Sequence, residues 1–259
     1  MNNSDDLSPR VTFVGVGPGD PSLLTLAAVR AIEAASTIAY PISHNASESI
    51  ALKIASDWIN AKQKKLPLPL PMVKDKQALQ KAWRDAGSSL YRCAAQGEKV
   101  VYLSEGDVSL FSTTSYLLFE LRARFPTCSV KLIPGVTSIS ASAAIGGWPL
   151  AIQNDQLLLL STPNKPSELE ALLDQLLPSI RVIVFLKLGY RWSWVKPLLE
   201  KRELLEGALF AEKVGWPDQK VTSAKLVQKD EKNYFSLLLI RKDWPDILPD
   251  INTTDYYSV

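Results

Sequence analysis

Short apolar runs alternate with helically spaced segments along the first half of the chain. Residues 11–16 are apolar and rich in β-branched side chains, and they lead into Gly15, Gly17 and Gly19. That combination predicts a buried strand entering a tight loop. Leu24, Ala27, Ala28, Ala31 and Ala35 then recur at helical spacing, followed by a second apolar run over 37–40 that Pro41 is expected to stop. Strand, helix, strand in this order predicts a parallel α/β sheet.

Residues 62–73 read KQKKLPLPLPMV, and their alternating prolines predict extended chain and exclude a helix. The clearest helix follows. Leu79, Ala82, Trp83, Ala86, Leu90 and Cys93 form one stripe, with Lys76, Lys81, Arg84, Asp85 and Arg92 between them. The stripe turns Trp83 and Cys93 toward the core, and Gly97 ends the helix. Further on, 99–103 and 129–133 read as strands, 116–125 as a helix, and the small-residue run 138–144 as a closely packed helix broken at Gly146 and Gly147.

Beyond about residue 150 the texture changes. Strands are expected over 157–161, 182–186, 208–211, 223–227 and 235–240. Helices are expected from Ser167, with Glu170 as the partner in a capping box, and over 193–201. Strands this closely spaced predict mixed or antiparallel pairing. The expected fold class is α/β with two domains: a parallel-sheet domain over 1–136 and a mixed-sheet domain over 137–259.

Composition narrows the function. The chain has 259 residues, 29 Lys plus Arg and 27 Asp plus Glu, for a net charge of +2. Nucleic-acid and membrane-surface partners need concentrated basic charge, so neither is expected. No apolar run approaches the ~18 residues of a membrane span. The polar start MNNSDDLSPR reads as no signal peptide, so the expected location is cytoplasmic. Two cysteines, Cys93 and Cys128, exclude a disulfide framework. With one histidine, His44, in a polar stretch, a Cys/His zinc site is not expected, and no protein-bound metal is expected. Triad chemistry would rest on His44 alone.

Three segments carry candidate chemistry. Gly15-Val-Gly17-Pro-Gly19-Asp20-Pro21 lies between a strand and a helix, the setting of a phosphate loop. Asp20 stands where a dinucleotide fingerprint needs its third glycine, which argues against a nicotinamide enzyme. No Gly-Lys-Ser/Thr follows, Pro18 lacks an amide donor, and Asp20 repels phosphate, so the loop suits a neutral or cationic ligand. Ser104-Glu105-Gly106-Asp107-Val108-Ser109 follows a buried strand, at the end where open α/β sheets place ligands. Residues 133–140, IPGVTSIS, put hydroxyls at a helix start, where Thr137 or Ser138 can cap.

In order and spacing, these three segments resemble the tetrapyrrole methylase family. The resemblance runs from about Val11 to about Ile240. Pro71-Met72, Asp75, Ala82-Trp83, Ser112-Thr113 and Tyr116-Leu117 are similar to the branch that methylates carbon 20 of precorrin-2. Gly106-Asp107-Val108 departs from the family's Gly-Asp-Pro. The resemblance implies S-adenosylmethionine as methyl donor, a tetrapyrrole substrate (precorrin-2 or its cobalt form), a cleft between two domains, and a homodimer to which the helix within 112–125 contributes. Other branches of the family and a non-catalytic tetrapyrrole carrier are the alternatives. Cofactor contacts are implied at Pro18, Glu105, Gly106, Asp107, Val108, Thr137 and Ser138, and later at Lys187, Ala211, Thr222 and Ser223. Asp20 and Asp107 are the implied catalytic acids. Tyr40, Met72, Lys74 and Trp148 are candidates for the substrate, and Lys62, Lys64, Lys65, Lys74 and Lys76 for its carboxylates.

Overall fold

The computed structural model describes residues 8–42, 48–71 and 73–244. It forms two compact units, Met1–Thr137 and Ser138–Val259. The first holds one parallel sheet of β1 (Arg10–Gly15), β2 (Thr37–Ile42), β3 (Lys64–Pro69), β4 (Val100–Ser104) and β5 (Ser129–Ile133), in the order β3-β2-β4-β1-β5. Helices α1 (Leu26–Glu33), α2 (Ile50–Ile54), α3 (Lys76–Ala95) and α4 (Thr114–Arg124) make the crossovers. One core lies between the sheet and the α3/α4 pair. It includes Val11, Phe13, Leu90, Tyr102, Leu117 and Leu121. A second core packs Val14, Ile32, Ile38, Ile54 and Leu103 on the opposite face.

The unit that begins at Ser138 has α5 (Ser138–Ile145), β6 (Gln156–Ser161), α6 (Pro166–Asp174), β7 (Ile180–Leu186), α7 (Trp192–Lys201), β8 (Ala208–Glu212), β9 (Lys220–Ser223) and β10 (Ser236–Arg241). Its sheet runs β6-β7-β10-β8-β9. β6 and β7 are parallel, while β10 is antiparallel to β7 and β8, and β8 to β9. The two sheets, one parallel and one mixed, are those expected. Trp192, Phe185 and Phe210 centre the second unit's core. Among the described residues no helix is long and apolar enough to cross a membrane.

Several local expectations differ from the structure for physical reasons. Pro41 does not stop β2, which continues to Ile42. Thr37 N donates to Lys99 O, so odd-numbered residues of β2 face β4, and that pairing ends at Ala39. The missing N–H of Pro41 therefore falls where no ladder bond is needed. Within the stretch expected to be extended, Lys64–Pro69 forms β3, an edge strand. α1 begins later than the apolar spacing implied and buries Ala28 and Ile32, with Ala27 in solvent. Thr25 caps it, accepting from Ala28 N at 3.1 Å. At α6 the cap lies two residues earlier and only its glutamate half is present: Pro166 opens the helix, and Glu168 accepts from Asn164 N and Lys165 N. The expected strand over 223–227 is instead β9 ending at Ser223, followed by a single 3₁₀ turn.

Leu90 is fully buried beneath α3. Leu90→Ala is expected to lower the unfolding free energy by about 2–5 kcal/mol. Arg92→Ala, on the exposed side of the same helix, should change it by less than about 0.5 kcal/mol. Urea titration monitored by circular dichroism checks both.

Candidate active site

The three candidate loops leave the carboxyl ends of adjacent strands β4, β1 and β5. Their backbones touch. Gly106 N donates to Gly17 O at 2.8 Å, Gly17 N donates back to Gly106 O at 3.2 Å, and Val16 N reaches Ser104 O at 2.9 Å. A Cβ on Gly15 would lie 2.6 Å from Gly135 N and 2.7 Å from Gly106 O, and one on Gly135 would come closer still to Gly106 O. Only glycine permits this approach. Gly106 also has φ +66°, and a Cβ there would meet open space, so the backbone presents a bare face at the strand ends.

Asp107 ties these loops together. It is buried, with 9% exposure. One oxygen, Oδ1, accepts from Ser109 N at 2.8 Å and Ser109 Oγ at 2.5 Å. The other, Oδ2, accepts from Gly135 N at 2.9 Å. Burial opposes its ionisation, but the hydrogen bonds from Ser109 and Gly135 prevail and hold the carboxyl below its ordinary value. Both oxygens are thus engaged by the chain, which makes Asp107 a positioning residue between the β4 and β5 loops. Ser109 and Gly135 lie inside the candidate segments, but the sequence assigned them no role. The Asp-x-Ser spacing, typical of an Asx turn, was the readable signal for Ser109.

The other loop residues take distinct places. Asp20 Oδ1 accepts from Ser22 N at 2.8 Å and caps the turn Pro21–Leu23. Pro18 is buried beside it, while Glu105 and Thr137 are half-buried. Val108, at the departure from the family pattern, is 3% exposed and belongs to the core beneath α3 and α4. Apolar packing therefore anchors the loop where proline would stiffen it. Loop residues 15–21, 104–112 and 134–138 contain no Lys or Arg, whereas Asp20, Glu105 and Asp107 carry carboxylates. This charge pattern fits a cation such as a sulfonium and disfavours a phosphate. Phe111, at the far end of the β4 loop, has φ +49° and is 47% exposed, an uncommon backbone for a bulky residue.

A model of the tetrapyrrole (corrin/porphyrin) methylases matches residues 10–230. The chain belongs to this family. Its relatives include a cobalt-precorrin-2 C(20)-methyltransferase of Salmonella typhimurium, 29% identical over 92% of this chain and 98% of the relative. A probable enzyme of the same name from Methanocaldococcus jannaschii is 32% identical over 91% of this chain and 97% of its own length. Among solved structures, a cobalt precorrin-4 methyltransferase matches with a TM-score of 0.65 at 16% identity, covering 93% of this chain and 97% of that one. The uroporphyrin-III C-methyl transferase of Thermus thermophilus, complexed with S-adenyl homocysteine, matches with a TM-score of 0.61 at 21% identity, covering 90% and 97%. These structures share the methylase fold.

The remaining positions carried over from the methylase resemblance are placed as follows. Ser138 opens α5, and its carbonyl accepts from Ser142 Oγ at 2.6 Å. Lys187 follows β7 with φ +60°. Ala211 is buried in β8 between β10 and β9, opposite Leu237 and Val221. Thr222 and Ser223 are half-buried on β9. Tyr40 is half-buried on β2, and Lys74 is exposed before α3. Trp148 does not offer a ring to a ligand: it is 2% exposed, and the Arg241 guanidinium lies 5.6 Å from its centre. Met72 and His44 lie outside the described residues.

Two outcomes follow from the loop geometry. Gly135→Ala should lower the midpoint of thermal unfolding, because its methyl group collides with the backbone of Gly106 and Gly15 and not with a movable side chain. A carboxyl with a depressed folded-state pKa stabilises fully above the ordinary range near 3.8 and loses that contribution as pH falls through the lower folded value. Asp107→Asn should therefore be less stable than the parent at pH 7, with the difference shrinking toward pH 2. Thermal melts across pH measure this.

Proposed function

We propose that the chain transfers a methyl group from S-adenosylmethionine to carbon 20 of precorrin-2 or cobalt-precorrin-2, giving (cobalt-)precorrin-3A in cobalamin biosynthesis. The supporting observation is the near full-length match to relatives bearing that activity in their names. The carboxylate-bearing, cation-free loops around Gly106 agree with a sulfonium donor.

When bound, S-adenosylmethionine would supply a methyl activated by its sulfonium: the carbon–methyl bond would form as the sulfur–methyl bond breaks, releasing S-adenosylhomocysteine, and the proton on carbon 20 would leave to a base. The chain's task is alignment and exclusion of water. Orientation alone contributes up to about 7–11 kcal/mol in favourable systems. Backbone groups of the turn at Pro18, of residues 105–108 and of Thr137-Ser138 make the cofactor contacts in this reading. Asp107 positions them through Ser109 and Gly135. Lys187, Ala211, Thr222 and Ser223 are further cofactor contacts on the same ground of resemblance. Asp20 faces the substrate, orienting the ring or accepting a proton.

The proposal includes a cytoplasmic homodimer. On α3 and α4, Trp83 stacks on Tyr116 at 4.1 Å, and Phe119 is 64% exposed. An aromatic face of this kind suits association of two copies.

Incubation with labelled S-adenosylmethionine and precorrin-2, with and without cobalt, should yield a tetrapyrrole heavier by one methyl group in mass spectrometry. No gain under either condition would refute the assignment. Asp20→Asn should slow turnover at least tenfold while leaving S-adenosylhomocysteine affinity unchanged. Phe119→Glu should convert the dimer to a monomer in sedimentation equilibrium; a parent that sediments as a monomer rules the dimer out.

A further inference from the structure

The cations of the second unit divide cleanly. Every buried or half-buried Lys or Arg there has a carboxylate within salt-bridge distance, with two exceptions among the described residues. Arg181 meets Asp243, Lys196 meets Glu200, and Arg202 meets Asp174. Lys213 meets Asp218, Lys232 meets Asp230, and Arg241 meets Asp155. The exceptions are Lys187 and Arg191, both half-buried. The described cations of the first unit are all exposed, including the lysines at 62, 64, 65, 74 and 76. Lys64 is moreover paired with Glu98 at 2.9 Å.

Two half-buried cations on one turn, with no carboxylate of the described residues in salt-bridge reach, point to an anion that belongs there. The turn is built for it. Arg191 Nη1 donates to Lys187 O at 3.1 Å, and Nη2 donates to Asn164 Oδ1 at 2.5 Å. Its Nε is buried with no acceptor. The guanidinium lies 4.7 Å from the Tyr190 ring centre, and the Lys187 ammonium 5.9 Å from that of Tyr234. Both rings are about half exposed, at 52% and 40%. Lys187 adopts φ +60°, a conformation a lysine rarely holds without a reason.

We infer that Lys187 and Arg191 form a carboxylate-binding subsite. The Arg191 guanidinium keeps Nη–H donors beyond its bonds to Lys187 O and Asn164 Oδ1, the Lys187 ammonium adds a second positive charge, and the two tyrosines offer flat apolar flanks. Resting on the methyltransferase reading, the carboxylate has two sources. One is an acidic side chain of the tetrapyrrole; the other is the amino-acid carboxylate of the methyl donor.

The test uses Arg191→Ala, Arg191→Lys and Lys187→Asn in the full chain. Asn accepts the left-handed backbone, so it removes the charge with little strain. Each variant is titrated by fluorescence with uroporphyrin, a polycarboxylate porphyrin, and by calorimetry with S-adenosylhomocysteine, after its thermal melt is matched to the parent. Loss of a charge-assisted contact should weaken one ligand by about tenfold or more. Arg191→Lys, which keeps the charge and loses the planar fork, should recover only part. In the Arg191 variants, weakened porphyrin binding with unchanged S-adenosylhomocysteine affinity assigns the subsite to the tetrapyrrole; the reverse assigns it to the methyl donor. Variants that melt like the parent and bind both ligands like the parent overturn the inference. Should Arg191→Ala fail to fold, Arg191→Lys carries the same decision. A parent that binds uroporphyrin through these residues but transfers no methyl group would refute the methyltransferase reading and leave the subsite standing.

Discussion

Three backbone segments touch at Gly15, Gly106 and Gly135 with no side chain between them, and the first unit's site depends on that approach. β1 lies between β4 and β5, so the loops leaving all three strands emerge side by side. A parallel sheet brings loops close but does not fix their mutual depth. Here the depth is fixed by the reciprocal Gly17–Gly106 hydrogen bonds and by Asp107 reaching Gly135 N. The Asp107 carboxylate links two loops and keeps a negative charge where a cationic ligand is expected. One group thus serves geometry and electrostatics together.

The second unit follows a different economy of charge. Its deepest ion pair, Arg241 with Asp155 at 2.7 Å, is almost fully buried and walled by Trp148. Arg241 also donates to Pro149 O and Leu150 O, so one side chain fastens the α5–β6 connection to β10. Lys196 acts similarly, donating to Lys225 O and Val227 O. These cations are spent on the fold. Lys187 and Arg191 stand apart because no carboxylate among the described residues neutralises them.

The fold was legible wherever period and punctuation agreed. The stripe from Leu79 to Cys93 and the Gly97 stop matched α3, and the apolar runs marked the strands. Pro41 misled because a proline's effect depends on which edge its missing donor faces, and pairing partners are not written locally. Ser167 and Glu170 misled because a capping pattern names no register, and Pro166 opened the helix first. The candidate loops were visible as Gly-rich segments after strands, but their contact arises from sheet order. Trp148 looked like a ligand contact because an aromatic beside Gly146 and Gly147 reads the same whether it faces solvent or a buried arginine. Lys187 was reached through the family motif, while Arg191 carried no local signal. Its distinction is that no carboxylate among the described residues lies within salt-bridge distance in three dimensions.

The prolines of β3 have a consequence of their own. Lys64 N donates to Ser36 O and Leu70 N to Ile42 O, so the even-numbered residues of β3 face β2. Pro67 and Pro69 are odd-numbered, and their missing donors lie on the outer rim of the sheet. An incoming strand would find there little beyond the N–H of Lys65, guarded by its own charge. The sheet therefore cannot be extended from this side into a continuous ladder, and the rim resists the strand addition that seeds aggregates. Zipping β3 of one copy onto β3 of another is therefore disfavoured.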